Sequence, residues 1–144
     1  MEKTIILSLG GSVICPDNID VSFLKNFKKT VEKYVKKNYR FVIICGGGRL
    51  ARQYQESASK IAKLSDSELD WLGIQATKIN ANLVKLLFRE DAEDYILDDS
   101  TKKLVFNKPS FFARPVIPRS KGENISGKSV TMPNHTIKFP ISRA

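Results

Sequence analysis

The chain reads Gly46-Gly47-Gly48-Arg49-Leu50-Ala51-Arg52 between an apolar, strand-like run at residues 39–45 and the start of a helical pattern. Three glycines leave no side chain between backbone and ligand, and the N–H groups of a helix start can point at an anion. Arg49 and Arg52 lie three residues apart and so share a helix face. Because guanidinium groups bind phosphate well, the pattern predicts a phosphate site. A tight turn with two solvated arginines is the alternative.

A second apolar strand ends in the same way. Residues 4–9 have the composition of a buried strand, and Gly10-Gly11-Ser12 follows directly. Ligands of parallel α/β sheets bind outside the carboxyl ends of the strands. We therefore expect both glycine segments on one rim, where each could hold one phosphorylated substrate. Neither segment is a GxGxxG or Walker sequence.

The composition is that of an ordinary globular protein. The 144 residues fit one domain with a real core, and 42% are hydrophobic and 27% charged. No 18-residue apolar run or signal-peptide pattern occurs, which predicts a cytoplasmic protein without membrane partners. Cys15 and Cys45 lack CxxC spacing, and Cys45 is expected to be a buried small hydrophobe. A single histidine, His135, excludes His-rich metal sites and argues against a Ser-His-Asp triad.

Charge and proline content change sharply near residue 108. Residues 1–100 hold 15 basic and 14 acidic residues, whereas residues 101–144 hold 9 basic residues and one acid, Glu123. Five of the six prolines also lie in the second part. We therefore predict an organised unit over 1–108 and an irregular, poorly ordered basic tail over 109–144.

Hydrophobic periodicity predicts the elements of the first part. Asp20 can cap a helix whose apolar residues recur at helical spacing. Its lysine face is read as solvated rather than nucleic-acid binding, because no aromatic residues are interleaved for base stacking. Further helices are predicted over about 49–64 and, from a capping box at 65–68, to about Phe88.

Two short strands are predicted next, at 95–97 and 104–106, around a turn at 98–101. The order β-α-β-α-α-β-β indicates an α/β fold with an at least partly parallel sheet.

Three segments together resemble a known family. They are Leu7–Ser12, Gly46–Arg52 and Asp70-Trp71-Leu72-Gly73-Ile74-Gln75-Ala76-Thr77-Lys78-Ile79-Asn80-Ala81. In this order and spacing they resemble the uridylate (UMP) kinases of the amino-acid-kinase superfamily, and the glycine segments look closest to the archaeal-type branch. The resemblance covers residues 3 to about 108, near the N-terminal half of a complete member. It implies an incomplete three-layer, Rossmann-like fold with a mostly parallel sheet.

The resemblance also implies the reaction MgATP + UMP to ADP + UDP and a set of site residues. Gly10, Gly11, Gly48 and Arg52 match positions that hold ATP phosphates, with Arg52 the catalytic candidate. Two further matches, Gly47 and Asp70, contact UMP in the family, the second through the ribose hydroxyls. Complete members commonly form homo-oligomers.

Not every position in the matching segments is settled by the resemblance. Asp70 could also be a first-turn acid favoured by the helix dipole, and both roles could hold together. Asn80 is either a packing residue or a polar member of the same helix face.

The chemistry implied by the resemblance needs no covalent residue, because phosphoryl transfer is catalysed by positioning and charge neutralisation. Mg²⁺ would arrive with ATP. Ser8 stands where the bacterial branch has a catalytic lysine, which leaves Arg52 and the metal as the sources of positive charge.

The resemblance ends soon after residue 108. Residues 107–113 begin as the family's next strand should, but Arg114-Pro115-Val116-Ile117-Pro118 follows in place of a GGxxPGxST loop. A truncated or frameshifted reading frame would explain this and predicts weak activity or none.

A P-loop pattern, GxxxxGKS, occurs at 122–129. It has a poor strand before it and Pro133 where the helix should run, so we do not expect it to bind nucleotide.

Two other functional classes stay open. The chain could be a non-catalytic fragment that binds nucleotide phosphates. The tail charge of +8 could also attract nucleic acid in a salt-dependent way, although no recognised fold supports it.

Overall fold

The computed structural model describes residues 3–96, 105 and 107–108, together with the backbone of 111–115. Within these residues the elements, in chain order, are β1 (Lys3–Leu9), α1 (Gly11–Ile14), α2 (Val21–Val35), β2 (Tyr39–Cys45), α3 (Gly48–Ile61), α4 (Asp66–Leu87) and β3 (Phe111–Pro115).

The three strands form one parallel sheet in the order β1-β2-β3. Leu9 at the end of β1 lies opposite Cys45 at the end of β2, and Cys45 lies opposite Pro115. All three carboxyl ends therefore lie at one edge, which confirms the predicted α/β class and its parallel sheet.

The core lies between β2 and helices α2 and α4. Alternate residues of β2, Phe41, Ile43 and Cys45, are at most 1% exposed and belong to one apolar cluster with residues of both helices. Phe27 of α2 meets Phe88, just past α4, edge to face with ring centroids 6.0 Å apart. Ile6 of β1 is 47% exposed, and alternation along the strand places it on the opposite face of the sheet. The sheet and this helix layer are two layers of the incomplete three-layer fold that was predicted.

Both predicted helix starts are confirmed. The Asp20 carboxylate accepts a hydrogen bond from the Phe23 N–H at 2.8 Å and caps α2. Ser65 and Glu68 form the capping box of α4: the Glu68 N–H donates to Ser65 Oγ, and the Ser65 N–H donates to Glu68 Oε2 at 2.8 Å. The hydrogen bonds that the Ser65 backbone and hydroxyl donate to the Glu68 carboxylate lower the pKa of Glu68.

The strand predicted at 95–97 is wrong for its described part, because Tyr95 and Ile96 follow α4 in an irregular segment. A buried carboxylate organises this region instead of a strand ladder. Glu93 is 5% exposed, and its Oε1 accepts the N–H groups of Asn107 at 2.6 Å and Lys108 at 2.7 Å. Leu97, the turn at 98–101 and most of the strand predicted at 104–106 lie outside the described residues.

Two features of the helices also differ from the prediction. Helix α3 ends at Ile61 rather than near Leu64, and the short helix α1 was not predicted. Four residues are too few for hydrophobic periodicity to register.

Strand β3 lies beyond residue 108, in the segment that composition assigned to the basic tail, and it extends the sheet beside β2. The division into 1–108 and 109–144 stays a prediction. His135, the P-loop pattern and the rest of the tail lie outside the described residues. No helix in the described part is both long and apolar enough to cross a bilayer.

Candidate functional site

Two glycine turns meet at the carboxyl edge of the sheet. We call residues 10–12 the first turn and residues 46–48 the second turn. The Gly46 N–H donates to the Leu9 carbonyl at 3.0 Å, which ties the start of the second turn to the end of β1. A Cβ on Gly11 would lie 2.3 Å from the Gly48 nitrogen and 2.5 Å from the Gly46 oxygen. The two backbones therefore touch directly, and the prediction that both turns share one rim is confirmed.

The second turn passes straight into α3. Gly48 has φ +55°, a conformation in which glycine carries no steric penalty. The first N–H groups of a helix have no acceptor within that helix and carry its positive dipole end. The start of α3 is therefore suited to bind an anion at this rim.

The two arginines of α3 have different partners. Arg52 Nη2 lies 3.4 Å from the Ser12 hydroxyl oxygen, so this guanidinium reaches the first turn. Arg49 instead forms an ion pair with Asp17. Arg52 is therefore the arginine of α3 whose side chain contacts the first turn.

One face of α4 lies behind the second turn. Asp70, Gly73, Thr77 and Asn80 follow one another at spacings of three, four and three, which puts them on one helix face. Thr77 Oγ1 lies 2.8 Å from the position of a Cβ on Gly47, so this glycine also has no room for a side chain. Gly73 faces α3, where Gln55 Nε2 donates to the Leu69 carbonyl at 2.8 Å.

Asp70 lies on this face but is exposed and does not contact the glycine turns. Seven residues separate it from Thr77, a distance of about 10 Å along the helix axis. Asp70 and the residues of α4 that contact the second turn therefore lie on one face of this helix, with Asp70 toward its start.

Asn80 is the residue whose role the sequence left open. It is 0% exposed, and its Nδ2 donates to the carbonyls of Gly46 at 2.8 Å and Gly47 at 3.3 Å. The heptad-like spacing from Gly73 was the available signal, since it puts Asn80 on the face that meets the second turn.

The described residues contain no group of three His, Cys, Asp or Glu side chains that could hold a metal ion. Mg²⁺ retains several water ligands and often binds through substrate phosphates. Ser8 is exposed on β1, opposite Ile44 in the sheet register.

Burial raises the pKa of the Cys45 thiol from 9.0 to about 12. The unfolded chain therefore loses this proton first as the pH rises. The contribution of the buried thiol to the free energy of unfolding is complete below about pH 9 and is lost toward pH 12.

We expect the free energy of unfolding to fall between pH 8 and about 10.5 more steeply in the wild type than in Cys45→Ala. Urea unfolding at the two pH values measures this. If both proteins lose the same free energy of unfolding between these pH values, the raised pKa of Cys45 is contradicted.

Comparison with known proteins assigns the chain to a family. A profile of the amino acid kinase family matches residues 3–104. This match covers well over half of the chain and includes both glycine turns and α4. The chain belongs to the amino acid kinase family.

Its relatives within that family are archaeal uridylate kinases. The chain is 32% identical over 98 residues to the uridylate kinase of Thermococcus sibiricus, covering 68% of this chain and 43% of the relative. It is 42% identical over 81 residues to that of Thermoplasma acidophilum, covering 56% and 34%. The crystal structure of the Archaeoglobus fulgidus uridylate kinase matches with a TM-score of 0.61 and 31% identity, over 78% of this chain and 50% of that one. The chain thus spans half or less of the length of these relatives.

Proposed function

We propose that this chain carries the phosphate-binding half of a UMP kinase, which transfers the γ-phosphoryl group of MgATP to UMP and gives ADP and UDP. The observation that supports it best is the direct contact between the two glycine turns, with Arg52 reaching Ser12 across them. The relatives named uridylate kinase make UMP the acceptor of choice.

In this proposal the first turn binds ATP phosphates, and the second turn contacts both substrates. Gly10, Gly11, Gly48 and Arg52 bind ATP phosphates, while Gly47 and Asp70 bind UMP. Backbone N–H groups at the start of α3 fix the phosphate oxygens, and the Asp70 carboxylate accepts the ribose hydroxyls. The spacing of Asp70 from Thr77, about 10 Å along α4, suits a nucleotide lying along the helix with its phosphate at the turns.

Catalysis would come from alignment and charge rather than from a covalent intermediate. Ser8 supplies no positive charge, so Arg52 and the Mg²⁺ of the substrate neutralise the transferred group. The proposed reaction needs no cofactor besides the Mg²⁺ that is bound to ATP. A cytoplasmic location and a homo-oligomeric state remain predictions.

A non-catalytic fragment that binds nucleotide phosphates is the second candidate. It rests on the same two turns, which could bind phosphate whether or not a phosphoryl group is transferred. UMP-dependent formation of UDP separates the two functions: an enzyme makes UDP, and a binding fragment retains ATP or UMP affinity without making it.

Arg52→Ala is expected to weaken ATP binding by roughly 10- to 100-fold, because a charge-assisted hydrogen bond contributes about 1.5–3 kcal/mol. Arg49→Ala is the matched control: it removes the same charge from the same exposed helix turn, but Arg49 is paired with Asp17. Its affinity should stay within about threefold of the wild type. Calorimetric titration with ATP and with UMP measures both. Equal losses in the two variants would indicate a nonspecific charge effect and refute the role of Arg52.

A further inference from the structure

We propose that Asn80 is the positioning residue of the second turn. It draws the carbonyl groups of Gly46 and Gly47 toward α4 and thereby turns the N–H groups of Gly47 and Gly48 outward, toward a bound phosphate. The identity of the ligand rests on the proposed function above, whereas the geometry of the turn does not.

The donor geometry of Asn80 fits this role. A side-chain amide has two N–H bonds on one nitrogen. Nδ2 of Asn80 has two acceptors, the Gly46 oxygen at 2.8 Å and the Gly47 oxygen at 3.3 Å. Because these acceptors are carbonyls, the orientation of the amide is fixed. The Asn80 side chain is itself 0% exposed, so its amide is withdrawn from water and directed at the turn.

Peptide geometry carries the effect to the other side of the backbone. The peptide bonds here are trans, and a planar trans peptide points the N–H of one residue opposite to the C=O of the residue before it. Holding the Gly46 carbonyl toward Asn80 therefore directs the Gly47 N–H away from α4. Holding the Gly47 carbonyl does the same for the Gly48 N–H. The Gly48 nitrogen lies close to the first turn, 2.3 Å from the position that a Cβ on Gly11 would take.

Packing alone does not account for an amide at this position. Ala76, Ala81 and Val84, also buried on α4, are apolar, and the buried Thr77 hydroxyl donates within the helix to the Gly73 carbonyl at 2.9 Å. Asn80 Oδ1 has no hydrogen-bond partner among the described residues, although it is buried. A buried acceptor without a partner is costly. The two hydrogen bonds that Asn80 donates to the second turn therefore explain why an amide occupies this buried position.

Helix α3 depends on the same carbonyl. The Gly47 oxygen also accepts the Ala51 N–H at 3.3 Å, in the first turn of α3. Asn80 therefore links α4 to the residue at which β2 passes into α3. Loss of its donors should loosen the start of α3 as well as the turn.

The test compares Asn80→Ala and Asn80→Asp with Asn82→Ala and Asn82→Asp. Asn82 is two residues along the same helix and exposed, and its Nδ2 donates only to the Lys78 carbonyl at 3.0 Å. The aspartates are isosteric with asparagine but lack its N–H bonds, and the alanines remove the donors without adding charge. Two quantities are measured in the folded proteins: ATP affinity by calorimetry and amide hydrogen exchange at Gly47, Gly48 and Ala51 by NMR.

In both Asn80 variants the amide hydrogens of Gly47, Gly48 and Ala51 should exchange at least about tenfold faster. ATP should bind at least about tenfold more weakly, which corresponds to about 1.4 kcal/mol of binding free energy. The Asn82 variants should match the wild type in both. If the Asn80 variants do not fold, Asn80→Ser replaces them, since it keeps one donor and should give a smaller change in the same direction.

The possible failures are distinguishable. Unchanged exchange at Gly47 and Gly48 in a folded Asn80 variant would overturn the positioning role, whatever the affinity. Faster exchange with unchanged affinity for ATP and, by the same calorimetry, for UMP would also overturn it, because the turn would then be ordered by Asn80 for stability alone. A wild type that binds no ATP and no UMP would refute the proposed function, while the exchange data would still decide the geometry of the turn.

Discussion

Gly11→Ala is expected to abolish folding or to lower the free energy of unfolding by more than about 3 kcal/mol. Its Cβ would lie 2.3 Å from the Gly48 nitrogen and 2.5 Å from the Gly46 oxygen. These are backbone atoms, so no side-chain rotation relieves the overlap. The two turns would have to separate, which would also break the bond from the Gly46 N–H to the Leu9 carbonyl.

Gly10→Ala is the matched control for this prediction. Gly10 has φ −60° and ψ 137°, an extended conformation that alanine adopts readily. Its Cβ would meet only Val13 Cγ2, at an ordinary 3.8 Å. We expect a change in unfolding free energy below about 1 kcal/mol. Urea unfolding followed by circular dichroism measures both variants, and similar midpoints for Gly10→Ala and Gly11→Ala would contradict the direct contact of the turns.

The 144-residue polypeptide by itself is expected to form UDP at least about a thousandfold more slowly than the 1–100 s⁻¹ typical of kinases. In-line transfer requires both substrates to be held in reacting alignment, which can account for about 7–11 kcal/mol of the barrier. The residues that match the Archaeoglobus kinase correspond to 50% of that chain. The family match over residues 3–104 includes both glycine turns. A polypeptide that lacks the contacts of the other half of the cleft should lose much of this alignment.

A coupled ADP-release assay with ATP, Mg²⁺ and UMP measures this rate. The same assay without UMP is the control, because it subtracts background ATP hydrolysis. UMP-dependent turnover within about 1–100 s⁻¹ would mean that residues 109–144 or a second copy complete the cleft. The prediction of weak activity would then be wrong.

Local sequence signals predicted the parts of the fold that depend on neighbouring residues. The run at 39–45 is β2, and Ser65 and Glu68 form the capping box that starts α4. The two glycine turns were placed correctly because each directly follows an apolar run that forms a strand. Their positions then depend only on the parallel pairing of β1 with β2.

Contacts between distant residues were beyond that reach. The segment predicted as a strand at 95–97 is irregular at Tyr95 and Ile96, and it follows Glu93, whose carboxylate accepts the N–H groups of Asn107 and Lys108, fourteen and fifteen residues later. The partners of Arg49 and Arg52 depend on where α1 brings Asp17 and Ser12, and α1 is too short to predict. Asn80 bonds to carbonyls 33 and 34 residues away, so helical spacing could identify its face but not its role.

The central claim is that the two glycine turns together bind nucleotide phosphates. The most direct test is an NMR titration of protein labelled with ¹⁵N at glycine, first with MgATP and then with UMP. The chain has 8 glycines, of which five lie in the two turns, one in α4 and two in the P-loop pattern. The account predicts saturable shifts of the Gly10, Gly11, Gly47 and Gly48 amides, with Gly122 and Gly127 unchanged. Shifts confined to Gly122 and Gly127, or no shift with either nucleotide, would contradict it.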